Sequence, residues 1–178
     1  MEPALDAVKR VMSTTVGRWQ SIVDTLPEEL LERPPAPGEW SAIDCLRHLL
    51  TVERHEFYVR LIQFLEGRAE LIPFNSDAPR EPEPEQTPRE LIAAFATERR
   101  ASMAALAQVM PADMERTSHH PKFGAVTLGM LLNQWAAHDL QHAVQAEEAL
   151  MQAFIPGTGV WRFEFEDHDI EAGAATSA

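Results

Sequence analysis

The chain has 178 residues, 45% hydrophobic and 24% charged, which is the size and composition of one globular domain with a sizeable core. Its 28 acidic against 15 basic side chains give a formal net charge of −13, a surface that repels a phosphate backbone, and no Lys or Arg run interleaved with aromatics reverses that sign, which argues against a nucleic-acid partner. The single cysteine, Cys45, rules out an intramolecular disulfide and a zinc ribbon.

No apolar run approaches the roughly 18 residues of a membrane span, and the N-terminus lacks the layout of a secretory signal. The expectation is a cytoplasmic protein with no membrane partner.

From Ala4 to Leu26, the residues Leu5, Val8, Met12, Trp19, Val23 and Leu26 close on one side of a helix, which Pro27 ends. After a Leu30-Leu31 patch, Arg33-Pro34-Pro35-Ala36-Pro37-Gly38 forbids regular structure and reads as a surface linker. Ser41 then offers an N-cap and Asp44 the carboxylate of a capping box for a second helix running to about Gly67. Its apolar residues occupy two adjoining stripes, one with Ile43, Leu46, Leu50, Phe57, Leu61 and Phe64, the other with Cys45, Leu49, Val52 and Val59. More than half its girth is therefore buried. Glu53 and Glu56 point into the buried sector, and His48 sits at its border.

Ile72 to Gln86 is too rich in proline and charge for a helix or a central strand and reads as a long extended connection. Thr87-Pro88-Arg89-Glu90 is the sharpest helix start in the chain, and the third helix runs to about Met110 with Leu91, Phe95, Ser102, Leu106 and Val109 inward. Thr117 to Val126, containing His119-His120-Pro121-Lys122-Phe123-Gly124, reads as a loop. Thr127 caps a fourth helix to about Phe154. Val160 to Glu166 alternates apolar and acidic residues and reads as an extended segment packed on the bundle. The expected architecture is all-α, a four-helix bundle forming a single domain over residues 1–170, with a disordered tail at 171–178. The apolar girth of helix two and the exposed-looking Trp161, Phe163 and Phe165 point to a homodimer.

The chemistry centres on Trp135-Ala136-Ala137-His138-Asp139-Leu140-Gln141-His142. His138 and His142, four residues apart, lie about 40° apart around a helix, so both rings can address one ion. They interrupt the apolar stripe of Leu128, Leu131, Trp135 and Ala149. A buried neutral imidazole needs partners for a donor and an acceptor nitrogen, and two on one stripe favour a metal over hydrogen-bonded core histidines. The residues leave the third ligand open, because His48 borders the core as a snorkelling surface histidine also would; His55 lies further towards the polar side. Glu53 and Glu56 are candidates for orienting a ligand nitrogen or moving a proton, the alternative being an ion pair with Arg99 or Arg100. His119 and His120 are candidates for closing over a site, with a turn role for His120 as the alternative. Cys45 reads as inert packing and Trp135 as core.

Glu39-Trp40-Ser41-Ala42-Ile43-Asp44-Cys45-Leu46-Arg47-His48, with His120-Pro121-Lys122-Phe123-Gly124 and His138-Asp139-Leu140-Gln141-His142 in that order, resembles the DinB/YfiT-like superfamily over nearly the whole chain. The resemblance implies a divalent transition metal held by His48, His138 and His142. Imidazole suits zinc, nickel, iron and copper alike, and zinc or nickel is the expected ion. The resemblance further implies a transferase that activates a small-molecule thiol for attack on an electrophilic substrate. A metal-dependent hydrolase and a non-catalytic, stress-associated metal-binding protein are the alternatives. One departure is Thr51, which stands where related sequences commonly carry an acid three positions after the first ligand.

Overall fold

A computed structural model describes residues 4–74 and 86–170 of the chain. Four helical arms build it: α1 (Ala4–Thr25); α3 (Ala42–Val52) continued by α4 (Tyr58–Leu65); α5 (Pro88–Leu106); and α6 (Leu128–Met151). A single turn, α2 (Glu28–Leu31), lies in the first linker. No described helix is long and apolar enough to cross a membrane.

The start signals work through their side chains. Ser41 Oγ accepts the Asp44 N–H at 3.2 Å while Asp44 Oδ2 accepts the Ser41 N–H at 3.0 Å. Thr87 and Glu90 repeat the exchange at 3.3 and 2.9 Å, and Thr127 Oγ1 accepts the Met130 N–H at 3.1 Å. Each cap is worth about 1 kcal/mol and fixes where its helix begins.

α1 packs against α5 and α6, and α3 packs against the same two, so α1 and α3 occupy opposite corners of the bundle. Neighbouring helix axes stand ~8–10 Å apart, which makes the diagonal about 14 Å. The proline-rich stretch between α2 and Ser41 spans that distance easily at ~3.3 Å per residue.

Apolar residues form two clusters. One contains Leu5, Val8 and Met12 with Phe57, Leu61, Leu131 and Trp135, and the other Trp19 and Val23 with Leu46, Leu49, Phe95 and Leu150. Between them along the arms lies a layer of buried or half-buried polar groups: Thr15, Glu53, Arg99, His138, Asp139 and His142.

The second arm is continuous but not uniform, because Glu53–Phe57 is a π-helical turn joining α3 to α4. π turns insert an extra residue into a helix and occur often at functional sites.

Three expectations are corrected. α5 ends at Leu106 rather than near Met110: the residue before Pro111 is disfavoured in helix, and Val109 leaves the helix to offer its carbonyl to Lys9 Nζ at 3.1 Å. Pro111–Glu115 is then a 3₁₀ turn.

The loop expected over Thr117–Val126 is an antiparallel hairpin of β1 (Thr117–His120) and β2 (Gly124–Thr127). Neither Thr117-Ser118-His119-His120 nor Gly124-Ala125-Val126-Thr127 alternates apolar with polar residues, so no period-two signal marks the strands. Gly124, at φ 74°, supplies the left-handed residue that re-enters the second strand. His119 ties this hairpin to the end of the second arm, donating its N–H to the Ala69 carbonyl at 2.9 Å and accepting the Leu71 N–H at 2.9 Å.

The alternating segment Val160–Glu166 is not extended. Val160–Phe165 lies in a 3₁₀ segment, Ile155–Phe165, because among the described residues no strand pairs with it and local turns satisfy its backbone. Trp161 and Phe163 are exposed in it. The patch at Leu30-Leu31, to which the sequence assigns no element, is helical, as part of α2. Most of the connection from Ile72 to Gln86 and the tail at 171–178 lie outside the described residues.

Candidate metal centre

His48 comes from the middle of α3, and His138 and His142 from adjacent turns of α6, which packs on it. His138 Nε2 lies 3.1 Å from His48 Nε2 and 3.2 Å from His142 Nε2, and one nitrogen of each ring lies within 4.8 Å of the others. Among the described residues this is the one group of three ligand-type side chains so placed.

The hydrogen-bond inventory of the rings is incomplete in a telling way. His142 Nδ1 donates to Gln145 Oε1 at 2.9 Å, which leaves a bare lone pair on Nε2. His138 Nδ1 is buried and has no hydrogen-bond partner among the described residues. A single proton on His138 Nε2 cannot serve both neighbouring rings, so lone pairs converge on one another. Burial, reinforced by His142, His48 and Arg99, pushes the His138 pKa down to about 3. Burial also lowers that of His142, against the opposing pull of Gln145 and Asp139. Both rings are neutral near pH 7, the state that ligates metal.

With metal–nitrogen bonds of ~2.0–2.1 Å, the edge of a coordination tetrahedron is about 3.3 Å. The 3.1 and 3.2 Å separations match that edge. The donor set therefore fits a divalent ion.

Trp40 stands just before the N-cap of α3 and covers two rings, its centroid 4.9 Å from that of His48 and 5.7 Å from that of His142, nearly parallel to the latter. It is 38% exposed, so it forms the solvent side of the site. Phe57, from the π turn, meets His138 edge-on at 5.3 Å and stacks on Trp135 at 5.1 Å.

Beside this cluster lies a second polar group. Arg99 of α5 grips Glu53 through Nε and Nη2, both at 2.9 Å, and holds Asp139 through Nη1 and through Nη2 at 3.0 Å. Trp135 Nε1 donates to Glu53 at 3.1 Å, and Thr15 Oγ1 donates to Asp139 at 2.7 Å. Burial raises the Glu53 pKa against the attraction of Arg99. Burial also works against the Arg99 charge, but its bonds to Asp139 and the charges of both carboxylates outweigh that and hold it above its usual range.

Of the two roles left open for Glu53, the structure displays the ion pair with Arg99. Glu56 pairs with Arg60, one turn on, and burial raises its pKa against that arginine's charge. His55 is exposed, and Thr51 bonds back to the Arg47 carbonyl at 2.9 Å. Cys45 is fully buried, with its pKa pushed up to about 12 by burial first and the Asp44 charge second. Neither His119 nor His120 joins the cluster: His119 is exposed, and His120 Nδ1 accepts the N–H groups of Lys122 and Phe123 at 3.0 and 3.3 Å, a turn role. A cavity of about 660 Å³ between α1 and α6, lined by Leu5, Lys9, Val109 and Asn133 among others, contains none of the histidines.

Three contributors escaped the sequence reading. Asp139 is four residues after Trp135 and three before His142, so its inward position was legible. Gln145, three residues after His142, carried the same signal. Trp40 lies outside any helix, where periodicity says nothing.

The family model of the DinB superfamily matches residues 12–146, a span that includes all three histidines. Among solved structures, YfiT from Bacillus subtilis, described as a probable metal-dependent hydrolase with an unusual four-helix bundle topology, is similar with a TM-score of 0.71 and 18% sequence identity. That likeness covers 84% of this chain and 86% of the other, and at such identity it is a likeness of fold. No curated protein matches.

Proposed function

The chain belongs to the DinB superfamily, and we propose that it is a metal-dependent transferase holding a divalent transition ion, zinc or nickel, on His48, His138 and His142. The observation that carries this is the convergence of three imidazole nitrogens from two packed helices, all within 4.8 Å of one another. Three neutral nitrogen ligands leave an ion its full charge and at least one open position, so that when bound it supplies the Lewis acidity to deprotonate a nucleophile near pH 7. We assign as that nucleophile a low-molecular-weight thiol, which attacks an electrophilic small molecule.

The chain's own residues shape the rest. Gln145 holds the His142 ring in the tautomer that presents Nε2. Phe57 closes the inner wall, and Trp40 leaves only part of the outer face to solvent. Glu53 is already engaged by Arg99 and Trp135, so its part is to fix the arms that carry the histidines.

The second reading, a metal-dependent hydrolase, is favoured by the description of the YfiT neighbour. Metal analysis of the purified protein beside His142→Ala tests the centre first. The wild type is expected to carry stoichiometric metal and the variant little, and equal content in both would remove the assignment. A panel of bacterial thiols with a chromogenic electrophile then separates the readings. Thiol-dependent turnover supports the transferase, turnover without thiol the hydrolase, and no turnover on any panel leaves a metal-binding protein.

A further inference from the structure

Under the hairpin lies a cavity of about 220 Å³ that contains none of the three clustered histidines. It is smaller than the ~300–1,000 Å³ of drug-sized clefts, a size suited to a small ligand. Its walls are apolar, from Phe123 and Val126 of the hairpin region and Leu131 of α6, and its polar groups are Arg60, His120 and Gln134. Among the described residues no acidic side chain lines it.

Arg60 is the unusual member. It is 3% exposed, its Nη1 is held by Glu56, and its Nε is buried with no hydrogen-bond partner among the described residues. Leaving such a donor unmade is costly, and a guanidinium edge is shaped for a planar carboxylate.

His120 adds a second donor. Its Nδ1 accepts two backbone N–H groups, so the proton of the neutral ring sits on Nε2. Burial, then the Arg60 charge, lowers its pKa, which keeps the ring neutral and places it within the field of that arginine. Lys122 Nζ lies 5.2 Å from the centroid of the Phe123 ring, which stacks on His120, and so adds positive charge beside that wall.

We propose that this cavity binds a small carboxylic acid with an apolar body, its carboxylate on the Arg60 guanidinium and beside His120, its body against Val126, Leu131 and Phe123. The hairpin carrying His120-Pro121-Lys122-Phe123-Gly124 is then a ligand-binding element rather than a connection. Gln134, one turn before His138 on α6, puts the two sites about 6 Å apart along that helix axis. The cavity stands on its own donors, and its occupancy does not depend on the reaction proposed for the histidines.

The test uses the full chain stripped of metal with a chelator, so that no ion can hold the acid. 3-Phenylpropionate at about tenfold excess over its dissociation constant is expected to raise the thermal midpoint by about 3–6 °C, while the matched neutral amide does not. Arg60→Met weakens the acid by about tenfold or more. Should that variant fold poorly with Glu56 unpaired, Val126→Trp, which fills the cavity from a half-buried hairpin position, is expected to abolish the response in a folded protein. His142→Ala retains it. Equal response to acid and amide, a response that survives in folded Val126→Trp, or loss in His142→Ala would each overturn the proposal.

Discussion

Two polar groups share the middle of this bundle, and neighbouring residues of one helix supply both. His138 joins a cluster whose lone pairs face one another, and Asp139, the next residue, joins a network in which each carboxylate meets Arg99 and a second donor. The network is closed: it links α1, the second arm, α5 and α6 through Thr15, Glu53, Arg99 and Asp139, and needs nothing from outside. The cluster is open: His138 Nε2 faces ring nitrogens of both His48 and His142, and one proton there cannot serve the two. Burial and polarity alone do not mark a binding site in a helical core. What marks it is polarity that the protein leaves unsatisfied.

The contrast predicts that one group carries stability and the other carries ligand. Arg99→Met leaves two buried carboxylates without their cation and is expected to cost about 3–5 kcal/mol, read as a lower urea midpoint in protein with and without metal. A loss under 1 kcal/mol would break the comparison from the network's side. His48→Ala tests the other side. It is expected to reduce metal affinity by more than the ~10–100-fold typical of losing an outer hydrogen-bond partner, while the urea midpoint of chelated protein changes little. If the metal-free variant is as damaged as Arg99→Met, the cluster is structural after all.

Gln145→Leu is a finer probe. It removes the acceptor that fixes the His142 tautomer and is expected to weaken metal binding by about tenfold, measured by competition with a chelating dye.

The smallest effect concerns Cys45, three residues before His48. Its thiol is held protonated to about 12 from an ordinary value of 9.0. Above pH 9 the unfolded chain therefore gives up a proton that the native chain keeps, so stability falls as pH rises through that window. At pH 8 a thiol reagent is expected to label Cys45 only at the rate of unfolding. Prompt labelling of native protein would place a reactive thiol where the core is drawn.

Much of this was legible in the sequence because it rests on local devices. Ser41 with Asp44, and Thr87 with Glu90, announce helix starts through groups that bond within one turn. His138 and His142 are visible because one helix carries both. His48 could be suggested but not fixed by spacing, since its partner rings come from a helix some 90 residues later. The resemblance to a family, not the periodicity, pointed to it. The hairpin and the 3₁₀ tail were misread for a common reason. Whether an alternating or irregular stretch becomes a strand depends on a partner strand, and pairing is a tertiary fact. Arg60 was equally silent: nothing in Glu56-Phe57-Tyr58-Val59-Arg60 tells that the guanidinium ends under a hairpin that starts at Thr117.

The π turn at Glu53–Phe57 bears on how this arm tolerates change in length. The turn absorbs one extra residue, so removing one there would let it relax to ordinary α geometry while the helix on either side keeps its angular place. Leu61 and Phe64 would stay in the core with His48 still at the cluster. Elsewhere in the arm a one-residue deletion has no such slack and turns everything beyond it by about 100° relative to His48. A deletion inside Glu53–Phe57 that spares Glu53 and Phe57 should therefore be less disruptive than one placed in α3 or α4.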